Sequence, residues 1–402
     1  MTTLQTAETF HPRDEKDVQE AVVWALGSGK KMAIKGRNSR QWMGYTNRIN
    51  PDALLDMQKL DGLIAYEPAE LFVALRPGTS VRMVKDLLRQ QGQMMAFEPL
   101  DLDYLFDAQG QGGTMGGLVA SGLAGSRRLK AGSVRDHVLG FRAVSGRGEV
   151  FKSGGRVVKN VTGYDVSKLM TGSFGTLAAM TELVVKTLPR PQSEASLFFS
   201  VPTIQEAAAL ARKAWRAPLD ASYFGFFPAS LDIAPEPMDG GWWVVVGMDG
   251  AANALDMRLE RMAQWLEHKP SAIIQEHLSQ SFWNDYAHIR HGHMGKTILR
   301  VHLKPTDATS LAEQLPEGLQ VSFDWAGGLA WLWGDQSEVE WHDAMAVIGG
   351  LSASFVIVRD GHHLKERFGW RQEPDLSVKN LEHRMRHAFD PHEIFCPQRF
   401  FD

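Results

Sequence analysis

The sequence predicts an α+β chain of more than one domain, and three observations carry that expectation. Apolar residues recur with the three-to-four spacing of amphipathic helices and, in alternation with these, in short continuous runs suited to strands. The chain has 402 residues, enough for two or three domains at about 150 residues each. Near Pro191 the texture changes: glycine clusters thin out and tryptophan becomes frequent, at Trp215, Trp242, Trp243, Trp265, Trp283, Trp325, Trp331, Trp333, Trp341 and Trp370. The expected divisions are therefore 1–191, 192–375 and a closing segment, 376–402. Hydrophobic residues at 44% and charged residues at 22% exclude a disordered or fibrous chain. A net charge of −4 argues against nucleic acid as the main partner.

The elements follow in order. Val18, Ala21, Val22, Ala25 and Leu26 form a helical stripe, introduced by Asp14 and closed by Gly27 and Gly29. The short strand Met32-Ala33-Ile34 runs directly into Gly36-Arg37-Asn38-Ser39, a loop able to offer free backbone N–H groups. Ala53 to Met57, Gly62 to Tyr66 and Leu71 to Leu75 read as strands, and Ser80 as the cap of a helix bearing Val81, Val84, Leu87 and Leu88. Residues 110 to 125 hold seven glycines in sixteen positions, interleaved with Met115, Leu118, Val119 and Leu123. Those apolar anchors exclude a solvated linker. Val138 to Val144 and Glu149 to Phe151 form a hairpin turning on Gly146-Arg147-Gly148. Gly163 to Met170 is expected as a short helix, Gly172 to Gly175 as a tight turn, and Met180 to Leu188 as a strand stopped by Pro189 and Pro191. Beyond the boundary, Gln205 to Trp215 and Ala251 to His268 read as helices, Gly241 to Val246 and Thr297 to Leu303 as strands, and Leu376 onward as helical before Asp390-Pro391.

Glycine-dense turns let the backbone approach a ligand closely and line up N–H groups around an anion such as a pyrophosphate. Three candidates occur, at Gly36 to Ser39, Gly110 to Gly117 and Gly172 to Gly175, each of which alone could be a structural turn. The common nucleotide motifs are absent: neither the P-loop pattern nor Gly-x-Gly-x-x-Gly after the first strand is found. A single cysteine, Cys396, excludes a disulfide, a thiolate zinc site and an iron–sulfur cluster, and reads as a small buried apolar residue in a reducing compartment.

The motifs Gly132-Ser133-Val134-Arg135-Asp136-His137-Val138-Leu139-Gly140, Lys159-Asn160-Val161-Thr162-Gly163-Tyr164-Asp165 and Gly172-Ser173-Phe174-Gly175-Thr176-Leu177, with Pro99 and the run Gly112 to Gly117, resemble a known FAD domain. It is that of the vanillyl-alcohol oxidase and D-lactate dehydrogenase superfamily. Leu123-Ala124-Gly125-Ser126-Arg127-Arg128 and the terminal Asp390-Pro391…Phe395-Cys396-Pro397-Gln398-Arg399 are most similar to the E-subunit family of bacterial glycolate oxidases. The resemblance implies an α+β fold with a two-part, PCMH-type FAD-binding domain, a smaller α+β cap domain, and a C-terminal segment returning to the first. It implies that Lys35, Gly36, Arg37, Asn38, Ser39, Arg40 and Gln41 wrap the FAD pyrophosphate, with Gly112, Gly113, Thr114, Met115, Gly116 and Gly117 on its other side. Ser121, Gly122, Gly125 and Ser133 would approach the flavin or ribityl chain, Gly175, Thr176 and Leu177 would hold the adenosine half, and Pro99 and Asp136 are further cofactor-binding candidates.

Departures from the pattern matter equally. Covalent relatives place a histidine where this chain has Asn38, so noncovalent FAD is expected. Catalytic relatives carry His-x-Gly-Asp-Gly-Asn-x-His, which is absent here. The resemblance thus implies a flavin subunit that oxidises glycolate to glyoxylate within a complex, beside a catalytic flavoprotein subunit and an iron–sulfur subunit. A structural assembly subunit and a self-sufficient 2-hydroxy-acid dehydrogenase stand as alternatives.

The remaining side chains carry weaker signals. His291/His293 and His362/His363 lack acidic or thiolate companions at metal-ligand spacing, so no metal is expected. Arg290, Arg300 and Arg371 could hold a substrate carboxylate. Between Arg127 and Lys159, nine basic residues stand against Asp136 and Glu149, either as protected strand edges or as a face for an acidic partner. The tryptophans belong to the core or to an interface. A polar amino terminus without an apolar run, and no membrane-length apolar segment, predict a cytoplasmic chain reaching the inner membrane only through partners.

Overall fold

The computed structural model describes residues 8–45, 50–106, 112–156, 165–290 and 295–401. His291, His293, Gly110 and the stretch Lys159 to Tyr164 lie outside them. The chain forms two compact units: Met1–Ala124 with Gly132–Arg190 and Pro374–Asp402, and Gly125–Ala131 with Pro191–Glu373.

The first unit contains two larger sheets and a two-stranded antiparallel pair, Gln93–Met94 with Leu188–Pro189. Strands Glu8–Phe10, Ala53–Asp56 and Met32–Lys35 form a three-stranded parallel sheet in that order. The helix Glu15–Ser28 covers it. Asp14 caps that helix by accepting the Asp17 N–H at 2.8 Å, and Gly29 ends it. Val18, Ala21, Val22 and Ala25 are buried against Met32, Ala53 and Leu55, as the stripe predicts. The second sheet is antiparallel, in the order Leu63–Glu67, Phe72–Leu75, Ala178–Lys186, Val138–Ser145, Val150–Gly154. Its hairpin turns where expected, with the Gly148 N–H on the Ser145 carbonyl at 2.9 Å.

The structure corrects several expectations in detail. The glycine run is not a continuous loop: Met115–Ser121 is a helix, capped by Thr114, whose hydroxyl accepts the Gly117 N–H at 3.2 Å. Met115, Leu118 and Val119 are buried on it, so the apolar anchors win over the glycine content. Of the short helix expected from Gly163, only Val166–Met170 is helical among the described residues. The closing segment is helical from Leu376 to Phe389.

The second unit is built on an eight-stranded antiparallel sheet, in the order Ala272–Gln275, Ser193–Val201, Trp242–Gly250, Tyr223–Pro228, Gln320–Asp324, Leu329–Gly334, Thr297–His302, Ser354–Arg359. Alternate strand residues such as Leu197, Val244 and Leu299 meet the helices Ile204–Trp215, Ala252–Leu266, Ala308–Gln314 and Glu338–Gly350. Their neighbours Phe198, Tyr223 and Trp243 meet Trp283 and Tyr286 of the helix Glu276–Ala287 on the other face. Seven of the ten tryptophans of this region are buried, while Trp215 and Trp265 are exposed, so the enrichment serves mainly the core.

Candidate functional site

In the first unit a cleft of about 860 Å³ opens beside the C-terminal end of the strand Met32–Lys35. Lys35, Gly36, Arg37, Asn38, Ser39, Arg40 and Gln41 form one wall, Thr114, Gly116, Gly117 and Ser121 a second, and Gly175 part of a third. No acidic side chain lines it among the described residues, whereas four cations do: Lys35, Arg37, Arg40 and Arg399. An anion would be well placed there.

The first wall turns tightly because Asn38 takes a left-handed backbone (φ 57), which asparagine tolerates better than most residues. The Gln41 N–H then closes onto the Asn38 carbonyl at 3.1 Å. Arg40 fixes the loop from below, donating to the Ser39 hydroxyl at 2.9 Å and to the Leu100 carbonyl at 3.0 Å. Burial pushes its pKa down, opposed by the charges of Asp103 and Asp101. Lys35 is steadied by Asp56 at 3.5 Å.

The remaining sequence candidates, and Gly116 of the second wall, also make contacts within the chain itself. Gly113, at φ 75, lies so close to Ser39 and Arg40 that a side chain would collide with both, and a Cβ on Gly116 would stand 2.8 Å from the Pro77 ring. Both glycines are thus required by close packing of the chain itself, whatever the ligand does. Gly112 lies beside Val81 and Asp101. Met115 and Leu177 are core residues, and Gly122 ends its helix. Pro99 bridges to Ala124. Ser133 and Asp136 cap the short helix Val134–His137 on one another, with the Ser133 N–H and hydroxyl each 2.8 Å from the Asp136 carboxylate. The Ser133 backbone N–H, foremost, holds that carboxyl below its usual pKa. Thr176 bonds the Ser173 carbonyl at 2.7 Å. The Gly125 carbonyl accepts the Trp325 indole N–H within the second unit.

The cleft also contains residues that carry no sequence signal. Ile34, Met43, Met57, Phe174, Ala178 and Met180 supply its apolar lining, and Arg399 and Phe400 complete it from the C-terminal segment. Only the terminal motif through Arg399 pointed to that last pair.

A second cluster sits in the sheet of the second unit. Of the three arginines considered for a carboxylate, Arg300 is buried, between Trp325 (5.1 Å) and Trp331 (5.6 Å), while Arg290 is exposed and Arg371 stacks on Trp370. Arg300 donates to His302 Nε2 at 2.7 Å, and its own Nε has no hydrogen-bond partner. Burial, reinforced by the nearby Arg128 charge, lowers Arg300 to about 9. Burial and the two guanidiniums push His302 down to about 2. The ring is therefore neutral, with its proton on Nδ1. Trp325 and Ala326 hold consecutive left-handed backbones (φ 55 each), a strain typical of functional loops. His362 bonds Thr297 at 2.8 Å and His363 lies beside Glu366.

The basic stretch from Arg127 does not present a uniform face. Arg127 is buried and ion-paired with Asp249, Lys130 pairs with Asp220, and Arg142 donates to both Glu15 oxygens at 3.0 and 2.6 Å. The docking reading is overturned for these three residues, whose charge is matched internally.

A family model described as an FAD binding domain matches residues 7–154. The glycolate oxidase subunit GlcE of Escherichia coli K12 is 32% identical over 384 residues, covering 95% of this chain and 96% of that protein. The chain belongs to the GlcE family. Glycolate oxidase subunit GlcD of Bacillus subtilis is 28% identical over 56% of this chain and 45% of its own length. The mitochondrial D-lactate dehydrogenase [cytochrome] of Arabidopsis thaliana is 27% identical over 50% of this chain and 33% of its own length. A solved alkyldihydroxyacetonephosphate synthase superposes with a TM-score of 0.69 at 14% identity, covering 96% of this chain and 75% of that one, which establishes the vanillyl-alcohol-oxidase-like fold. In this GlcE-family chain most of the cleft lining lies inside the FAD-domain match, including Ile34, Met43 and Met57, while Phe174, Gly175, Ala178, Met180, Arg399 and Phe400 join it from outside residues 7–154. The residues present fit FAD: the lining combines cations and a tight turn suited to a pyrophosphate with apolar side chains suited to a flat ring. No helix among the described residues is long and apolar enough to cross a membrane.

Proposed function

We propose that this chain is the FAD-binding subunit of a glycolate-oxidising complex, and that it holds FAD noncovalently in the cleft behind Lys35 to Gln41. The observation that carries the reading is the cleft itself, four cations and no acid around a loop closed by Asn38, in a chain of this family. Bound FAD supplies a two-electron acceptor for oxidation of glycolate to glyoxylate. Lys35, Arg37 and Arg40 neutralise the pyrophosphate, and the Gly117 and Gly175 surfaces leave room for it. Asn38 has no ring nitrogen for a covalent tether, and the one cysteine, Cys396, is buried with its thiol pushed up to about 11.

Arg300, whose Nε is free, is the group we assign to the substrate carboxylate, with Arg128 beside it. The partners of this reading are a catalytic flavoprotein subunit and an iron–sulfur subunit, through which the chain reaches the membrane as a peripheral component. A second reading, an assembly subunit that retains the flavin fold, is favoured by His302. Its Nε2 accepts from Arg300, so the ring offers no general base. The visible spectrum of the purified chain separates the readings. Flavin bands that bleach with glycolate only after partners are added support the first. A folded, colourless chain supports the second.

A further inference from the structure

The last turn of the chain is built as a clasp over the cleft. Its root is fixed: both Asp390 oxygens accept backbone N–H groups, from Ile394 and Phe395, at 2.9 Å each. Ile394 and Phe395 are buried in the core beneath the parallel sheet, and the Met32 N–H bonds the Ile394 carbonyl at 2.8 Å. Beyond Cys396 the chain turns through Pro397–Arg399, and its end is only half-buried.

That end grips the loop following the phosphate-side turn. The Arg399 guanidinium donates to the Gln41 carbonyl at 2.9 Å and the Met43 carbonyl at 3.2 Å, while the Arg399 carbonyl accepts the Tyr45 N–H at 2.7 Å. Gly44 (φ 80) lies against Arg399 and Phe400 so closely that any side chain would meet both. The Phe400 ring stacks on Phe174 at 4.9 Å and 17°, and Phe174, Arg399 and Phe400 all line the cleft. A segment more than 350 residues away in sequence thus forms part of the cleft wall and ties shut the loop opposite it.

We infer that Arg399 and Phe400 are positioning residues that retain the cofactor: FAD leaves the cleft when this clasp opens, so the clasp sets the release rate. The inference rests on the reading of the cleft as an FAD site. An open clasp exposes the apolar lining to water and frees residues 41 to 45 while leaving the buried root intact. Affinity changes of this kind are expressed mainly in release.

The test uses the full chain loaded with FAD. Release is followed as the rise in free-FAD fluorescence after dilution of the loaded chain far below its dissociation constant, and affinity by equilibrium dialysis, for wild type, Phe400→Ala, Phe400→Tyr and a chain ending at Gln398. Phe400→Ala and the shortened chain should release FAD ~10-fold faster or more, with Phe400→Tyr restored to wild-type release because the ring is kept. The melting temperature of apo Phe400→Ala should match wild type. Unchanged release in Phe400→Ala overturns the clasp, as does a loss of apo stability that accounts for the whole change. If the shortened chain does not fold, the two point variants decide. A wild-type chain that takes up no FAD overturns the cleft assignment itself, and the clasp with it.

Discussion

Replacing Gly117 with valine distinguishes a cofactor cleft from a merely structural glycine. A Cβ at Gly117 meets one protein atom within 4 Å, the Thr114 hydroxyl at 3.3 Å, whereas at Gly116 it meets the Pro77 ring at 2.8 Å and the Pro77 carbonyl at 3.2 Å. Gly117 lies within the helix Met115–Ser121, where valine is favoured over glycine by a few tenths of a kcal/mol, so the fold should tolerate the change. The added branches instead enter space the cofactor needs. Forcing extra methyl groups into an occupied site costs about 1–3 kcal/mol, which weakens FAD binding roughly 5- to 150-fold. Flavin fluorescence titration gives the affinity and thermal melting of the apo chain gives the stability. Gly116→Val serves as the contrast, because it should lower the apo melting temperature before any cofactor is added. A Gly117→Val chain that binds FAD within twofold of wild type would refute the assignment of that wall.

Further outcomes follow from individual side chains. Acid precipitation should release the flavin into the supernatant, and yellow colour left in the pellet would contradict a loop closed by Asn38. Arg127→Glu sets two carboxylates together in a buried site and should cost about 3–5 kcal/mol in urea unfolding, so any loss of complex assembly should track loss of fold. The Arg142 hydrogen bond, foremost, holds Glu15 below its ordinary value of 4.5. Its stabilising contribution is therefore present above that value and lost as the pH falls through the lower, folded one. The stability difference between wild type and Glu15→Gln should shrink as the pH is lowered from 4.5 through acid, and a difference that does not fall with pH would show that the ion pair is not its origin.

What the sequence made legible was local. The stripe from Val18 to Ala25, the cap at Asp14 and the hairpin on Gly148 each depend on residues a few positions apart, and the structure places them as expected. That Lys35 to Gln41 stand together was legible for the same reason, since they form one short turn after a strand, and the structure places all seven on one cleft. The glycine run could be read two ways because glycine serves two purposes. Gly113 and Gly116 allow two chain segments to touch, which composition cannot distinguish from an approach to a ligand. The apolar lining was not legible, because Ile34, Met180 and Phe400 are ordinary hydrophobic residues until three distant segments bring them together.

The charged residues teach the same lesson with the opposite sign. Arg127 and Arg142 count as surface charge in a sequence tally, yet each is matched by a carboxylate far along the chain, Asp249 and Glu15. Arg300 differs in being buried with an unpartnered Nε, and leaving such a group dry is costly unless an anion completes it. Its neighbour His302 cannot take a proton from that anion's α-carbon or hydroxyl, because the lone pair on Nε2 already accepts from Arg300 and the ring titrates near 2. A positioned base commonly contributes about 10²- to 10⁴-fold in rate. The cluster can therefore hold and orient a carboxylate while lacking the base that would make oxidation fast, so Arg300 and His302 by themselves position such a group without activating it.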